Sequence, residues 1–223
     1  MIVIPKNPES FLDVPGFNNP IHLKHLSEYI SKLKSGRILE IGCAWGGSTW
    51  AILDAIQPKV TLTTVDTFGM NHPDLKMHHY RNVSKKHSKN PSVMYGMNIY
   101  LEKNHRAVFD HFISYHPKRR HLRKVHQTTS IEVLKDDSNW DLAYIDGLHS
   151  YENVSRELFL LKNVKMICGD DYHPTHEGCM RAIDEFREKN PDRTFYHDPF
   201  DCGSGFWSIT LEEYEIENDR TTD

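Results

Sequence analysis

Several things are scarce in this 223-residue sequence, and each scarcity narrows the possibilities. No stretch approaches the roughly 18 to 20 uninterrupted apolar residues of a membrane span, so a transmembrane helix is not expected. Cysteine is sparse: Cys43, Cys168, Cys179 and Cys202 are scattered without CxxC or CxxH spacing, which argues against a disulfide framework and a structural zinc site. The opening, MIVIPKNPES, lacks a basic region leading into an apolar core, so the expected compartment is the cytoplasm. There is no internal repeat or low-complexity tract. A net charge of only -4 speaks against a surface given over entirely to nucleic acid.

What is present suits one α/β domain spanning residues 1–223, because an apolar content of 38% can bury a core without staples. An arm with prolines at 5, 8, 15 and 20 leads into a helix over Ile21 to Leu33, and Gly36 is expected to cap it. RILEIG then reads as a buried parallel strand, TWAILDAI as a helix and VTLTTVDTF as a strand ending at Asp66, which together make a βαβ unit. Further along, VHQTTS reads as an edge strand, SIEVL as a short helix, DLAYID as a strand, YENVSRELFLLKN as a helix and VKMICGDD as a strand. GCMRAIDEFREKN is a helix by its spacing, and TFYH and GFWSITL form a closing antiparallel hairpin. The expected architecture is a doubly wound, Rossmann-like, mostly parallel seven-stranded sheet with a C-terminal hairpin.

In ILEIGCAWGGS, Glu40 and Gly42 close the first strand while Gly46 and Gly47 open the following helix, so backbone N–H groups can press against a ligand. The glycine spacing departs from a dinucleotide fingerprint: Ala44 takes the place of the second glycine and Gly46 arrives one residue early. This favours S-adenosylmethionine (SAM) over NAD. Asp66, ending the next strand, can accept hydrogen bonds from both hydroxyls of a ribose.

With ILEIGCAWGGS as glycine motif and TTVDTFG as acidic strand end, the chain resembles the class I SAM-dependent methyltransferases. The resemblance implies that Glu40, Gly42, Ala44 and Ser48 surround the methionine part of SAM, Asp66 and Thr67 the ribose, and the turn at Thr129 and Ser130 the adenine. Cys43, Gly46 and Phe68 complete the expected cofactor-lining set.

Asp146 ends the strand DLAYID, and Asp170 and Asp171 end VKMICG; in a doubly wound sheet such ends converge at one crevice. Three carboxylates in one small site repel, and an all-oxygen set suits magnesium or another hard divalent cation, which would polarise a substrate hydroxyl. His149, three residues beyond Asp146, is the first candidate for general base, with Asp146 as its catalytic companion. His173 and His176 are further candidates, as partners of the ligands or as ligands pointing to zinc or iron. The runs YIDGLHSYENVSREL and GDDYHPTHEGCMRAIDEFR resemble the macrocin-type sugar O-methyltransferases. That family implies magnesium on Asp146, Asp170 and Asp171, chelated by neighbouring substrate hydroxyls. The chain departs from the antibiotic-sugar branch at Leu148, where that branch carries an acid thought to act as base; the departure favours His149.

Residues 70–125 interrupt the alternation as an expected basic, mainly helical lid or substrate-recognition insertion, with residues 1–36 forming the N-terminal arm and helix. Between Asn71 and His126, twelve Lys and Arg face only Asp74, Glu102 and Asp110, among nine histidines and many aromatic residues. Such a segment could take a phosphorylated or anionic sugar, or a single strand of nucleic acid. The leading expectation is a metal-assisted O-methyltransferase acting on a sugar, glycan or other small vicinal diol, with a homodimer through the arm and leading helix conceivable. The alternatives are a nucleic-acid methyltransferase, an NAD-dependent oxidoreductase and a non-catalytic SAM-binding protein.

Overall fold

The computed structural model describes residues 8–14, 19–69, 105–200 and 205–211. Most of the expected basic insertion (70–104), Cys202 and the acidic tail lie outside them.

Helix α1 (Pro20–Lys32) starts where the Asn19 side chain accepts the Ile21 N–H at 3.0 Å and Pro20 presets the first turn. Its buried face carries His22, Leu23, Leu26 and Ile30. Gly36 does not cap this helix, contrary to expectation: the helix stops at Lys32, and Gly36 lies inside strand β1 (Ser35–Ile41) with φ +136. A Cβ there would sit 2.4 Å from Asp141 Oδ2, and that carboxylate accepts the Arg37 N–H at 2.9 Å. The glycine admits the neighbouring side chain.

Strands β2 (Lys59–Asp66), β3 (Leu122–Gln127), β4 (Leu142–Ile145) and β5 (Met166–Gly169) join β1 in a parallel array, and β6 (Arg193–His197) and β7 (Trp207–Leu211) form the antiparallel hairpin. The strand order is β3-β2-β1-β4-β5-β7-β6, so β7 inserts antiparallel between β5 and β6 and the expected seven-stranded sheet is present. Side-chain alternation sorts the core onto two faces. Ile38, Tyr144, Met166 and Cys168 pack with Leu23, Leu26 and Ile30 of α1, Leu53 of α2 (Gly47–Ala55), and Phe109 and Ile113 of α3 (His105–Tyr115). Leu39, Ile41, Ala143, Ile145 and Ile167 pack on the other face with Leu134 of α4 (Ser130–Asp136), Leu158 of α5 (Tyr151–Leu160) and Ile183 of α6 (Glu177–Lys189). Helices on both faces explain why β4 and β5 are buried at every residue.

The C-terminal part of the expected insertion is framework. Residues 105–125 supply α3, the short 3-10 turn Arg119–His121 and the start of β3, which begins at Leu122 instead of Val125. Several basic side chains here serve the fold: Arg106 pairs with Asp110, Lys118 donates to the carbonyls of Asp54 and Ile56, and Arg119 donates to that of Ser114. Cys43, Cys168 and Cys179 are free and buried. Among the described residues, no helix is long and apolar enough to cross a membrane.

Gly42 (φ +84) closes β1 where a Cβ would fall 2.0 Å from the carbonyl oxygen of Asp146. Gly42→Ala is therefore expected to cost about 2–4 kcal/mol through left-handed strain and displacement of the β4 end. Urea unfolding would show this as a lower midpoint with unchanged slope; parental stability would mean that the contact opens freely.

Candidate active site

The turn between β1 and α2 is built from positive-φ residues at Gly42, Ala44 and Gly46, and α2 begins with no side-chain cap. Two carboxylates hold this turn. Asp66 accepts the Ala44 N–H through Oδ2 at 2.7 Å and the Phe68 N–H through Oδ1 at 2.6 Å. Each carboxylate oxygen has a second lone pair to offer. Glu40 is fully buried beneath the turn, where it accepts the hydroxyls of Ser48 at 2.7 Å and Thr49 at 2.6 Å. Burial pushes the Glu40 carboxyl up to about 8, against the pull of those two hydroxyls.

Of the cofactor-lining residues expected from the sequence, Gly42, Ala44, Gly46, Asp66 and Thr67 gather at the C-terminal ends of β1 and β2. The side chains of Glu40 and Ser48 are spent on each other, and that of Cys43 is buried. Phe68 packs edge-on against Phe109 under the Arg106 guanidinium. Thr129 is the N-cap of α4, in a reciprocal capping box with Glu132, and the Ser130 hydroxyl donates to buried Glu157.

The second half of the crevice lies at the ends of β4 and β5. Ligand-capable atoms of Asp146, His149 and Asp171 lie within 4.8 Å of one another. Asp170, grouped with them by its place in the sequence, turns elsewhere: its Oδ2 lies 2.8 Å from His22 Nδ1, and its Oδ1 accepts the Asp171 N–H at 2.7 Å. Asp171 adopts φ +65, which sends two consecutive carboxylates in different directions. Its oxygens meet two imidazoles, His149 Nε2 at 2.8 Å and His176 Nε2 at 3.3 Å. His173 faces away from this set, its Nδ1 at 2.9 Å from the Thr175 hydroxyl oxygen.

The charges in this cluster act strongly on one another. Asp146 is pushed up to about 7, by burial first and then by the negative charges of Asp170 and Asp171. His149 rises to about 9: burial opposes the shift, but the hydrogen bond and charge of Asp171, aided by Asp146 and Asp170, overcome it. Burial works to raise Asp171, but the hydrogen bond and charge of His149, followed by the charges of His176 and His22, hold it low. A cation would relieve the repulsion among these carboxylates, so the donor set fits a divalent ion.

Two contributors were missed from sequence. His22 and Tyr144 join the two strand ends: Tyr144 donates its hydroxyl proton to Asp146 Oδ2 at 2.9 Å, and the phenol oxygen lies 2.9 Å from His22 Nε2. These contacts and the His22–Asp170 contact require three protons, whereas a neutral imidazole and a phenol supply two. With Tyr144 donating to Asp146, the third sits on His22 or Asp170, so the network carries one negative charge fewer than its carboxylates alone. A signal for His22 existed, since it shares the buried helix stripe of Leu26 and Ile30. Tyr144, two residues before Asp146 on one strand, had to share its face.

The doubly wound sheet with a glycine turn and an acidic strand end defines a nucleotide-type crevice. Its family is equally plain: the chain belongs to the methyltransferase-domain family, whose model matches residues 39–165, more than half of its length. The expected methyltransferase family and fold are met. No curated protein matches the sequence. Among solved structures, cofactor-bound Rv0187 from MTB is similar with a TM-score of 0.58 and 15% identity, over 90% of this chain and 84% of that one. The O-methyltransferase TomG from Streptomyces achromogenes, in complex with SAM, gives 0.54 and 13% over 88% and 81%. The TDP-rhamnose 3'-O-methyltransferase CalS11 of calicheamicin biosynthesis gives 0.53 and 16% over 86% and 79%.

Glu40 carries a sign-definite consequence. Its pKa is higher folded than unfolded, so burial as a neutral acid costs nothing extra below the ordinary glutamate value of 4.5, and stability is lost as pH rises from there through about 8. Glu40→Gln keeps the hydrogen-bonding shape and removes the charge. Its unfolding free energy relative to the parent is expected to climb between about pH 5 and pH 8; a pH-independent difference would refute the assignment.

Proposed function

We propose that this methyltransferase uses SAM to methylate a hydroxyl oxygen of a small molecule, with a divalent cation at Asp146 and its neighbours, on a sugar, glycan or other vicinal diol. The observation that carries this reading is the packing of the two half-sites. The glycine turn and the carboxylate cluster meet backbone to backbone at Gly42 and Asp146, tied by the Asp146 N–H donating to Ile41 O at 2.8 Å. A methyl donor on one side of this contact and a hydroxyl on the other face each other across one crevice. The SAM-bound and sugar-modifying structural neighbours support the same reading.

SAM supplies the electrophilic methyl carbon, and a bound cation supplies Lewis acidity that lowers the pKa of the substrate hydroxyl. In the transfer the C–O bond forms as the C–S bond breaks, S-adenosylhomocysteine departs, and the hydroxyl proton goes to the protein or solvent. Asp66 would take the ribose hydroxyls with its remaining lone pairs while fixing the turn through Ala44 and Phe68. Asp146, Asp171 and His149 would hold the cation, with Asp170 close by. As a ligand His149 would not be available as the expected general base; it would serve as base only with its Nε2 released from Asp171 and left outside the cation's donor set.

Two measurements test the reading. Calorimetric titration with SAM and S-adenosylhomocysteine should show binding, and Asp66→Asn should weaken it by about tenfold or more through loss of charge-assisted hydrogen bonds; a folded protein that binds neither ligand would end the SAM assignment. Asp146→Asn and Asp171→Asn should abolish cation binding and turnover on a hydroxyl substrate while SAM affinity stays intact. Undiminished turnover in both would rule out the cation site.

A further inference from the structure

His22 stands outside the residues matched by the family model, on a helix that otherwise looks like packing. Only 2% exposed, it contacts groups from two strand ends: Asp170 at 2.8 Å through Nδ1 and the Tyr144 hydroxyl at 2.9 Å through Nε2. Tyr144 passes the link on to Asp146 at 2.9 Å. The ring is held edge-on between Tyr144 and Phe206, with centroids at 5.6 and 5.4 Å, so its direction is set by packing. Asp170 is fastened independently, its carbonyl accepting the Trp207 indole N–H at 2.9 Å.

We infer that His22, anchored on Asp170 and with Tyr144 as its link, is a positioning residue that fixes the Asp146 carboxylate in the geometry that receives the cation, so that helix α1 completes the active centre. The inference rests on the cation reading above. A carboxylate end free to rotate must be ordered when a cation binds, and groups that orient ligands from behind raise affinity by removing that cost. Asp146 and Asp170 follow the ends of adjacent strands, and the imidazole and phenol link their side chains. A histidine that merely filled the core would affect stability alone.

The test is Mn2+ binding to the full chain, followed by calorimetry and by the electron paramagnetic resonance signal of free Mn2+, alongside S-adenosylhomocysteine binding and thermal melting. Tyr144→Phe, which is nearly isosteric, and His22→Leu are expected to weaken Mn2+ by about 10- to 100-fold, with S-adenosylhomocysteine affinity unchanged. His22→Asn, which keeps an N–H near the Nδ1 position, should recover part of the loss. If His22→Leu does not fold, Tyr144→Phe decides the matter. Parental Mn2+ affinity in folded Tyr144→Phe and His22→Leu would overturn the inference while leaving the cation site standing. A parent that binds S-adenosylhomocysteine but no Mn2+ would remove the cation reading and this inference with it.

Discussion

The close backbone approach of Gly42 to Asp146 is the constraint on which the rest of the crevice depends. Space for a Cβ is absent there, with only 2.0 Å to the Asp146 carbonyl oxygen, and the surrounding amides are tied: Gly42 N–H to Val65 O and Asp146 N–H to Ile41 O, both at 2.8 Å. Strands β2, β1 and β4 are thereby locked at their C-terminal ends. The turn that follows β1 has only one way to go, up and over into α2, with Asp66 and Glu40 pinning it from beside and below.

Charge is the second organising element. The carboxylates at the ends of β4 and β5 are each met by a different proton-bearing partner: Asp146 by Tyr144, Asp170 by His22, Asp171 by His149 and His176. Such a cluster is costly to bury, and full pairing is what makes it tolerable. Asp146 is driven up to about 7 by its burial first and then by the negative charges of Asp170 and Asp171, and its phenol partner carries no charge to offset them. The site is built around one incompletely neutralised carboxylate.

Much of this was legible in the sequence because it follows from short-range rules. The glycine turn, the acid closing β2, the alternation of strands and helices and the final hairpin all report local periodicity and turn chemistry. Three features escaped for a physical reason each. Gly36 looked like a helix cap because its demand comes from Asp141, a residue distant along the chain. Asp170 and Asp171 looked equivalent because sequence adjacency says nothing about φ, and the +65 at Asp171 is what separates them. His22 looked like part of a packing helix because its partners, Asp170 and Tyr144, become neighbours only when α1 lies across the sheet. What was hidden is what depends on tertiary juxtaposition.

The two imidazoles on Asp171 illustrate how the framework reaches the site from a distance. His149 belongs to the loop entering α5 and His176 to the turn entering α6, and their rings meet edge-on with centroids 5.4 Å apart. That approach is possible because Gly178, in the first turn of α6, lets the helix come in against α5: a Cβ there would lie 2.9 Å from the Tyr151 N and 3.4 Å from the His149 carbonyl oxygen. Farther along, Tyr151 donates to Glu185 at 2.8 Å and lies under the Arg181 guanidinium, so the pair of helices is fastened at this end. The spacing of two helices on one face of the sheet thus sets the distance between two histidines at its edge. A donor set containing an imidazole sits closer to the borderline divalent metals than the all-oxygen set suggested by the aspartates alone. For the cation proposed above, the choice of metal would be a property of helix packing as much as of Asp146 and Asp171.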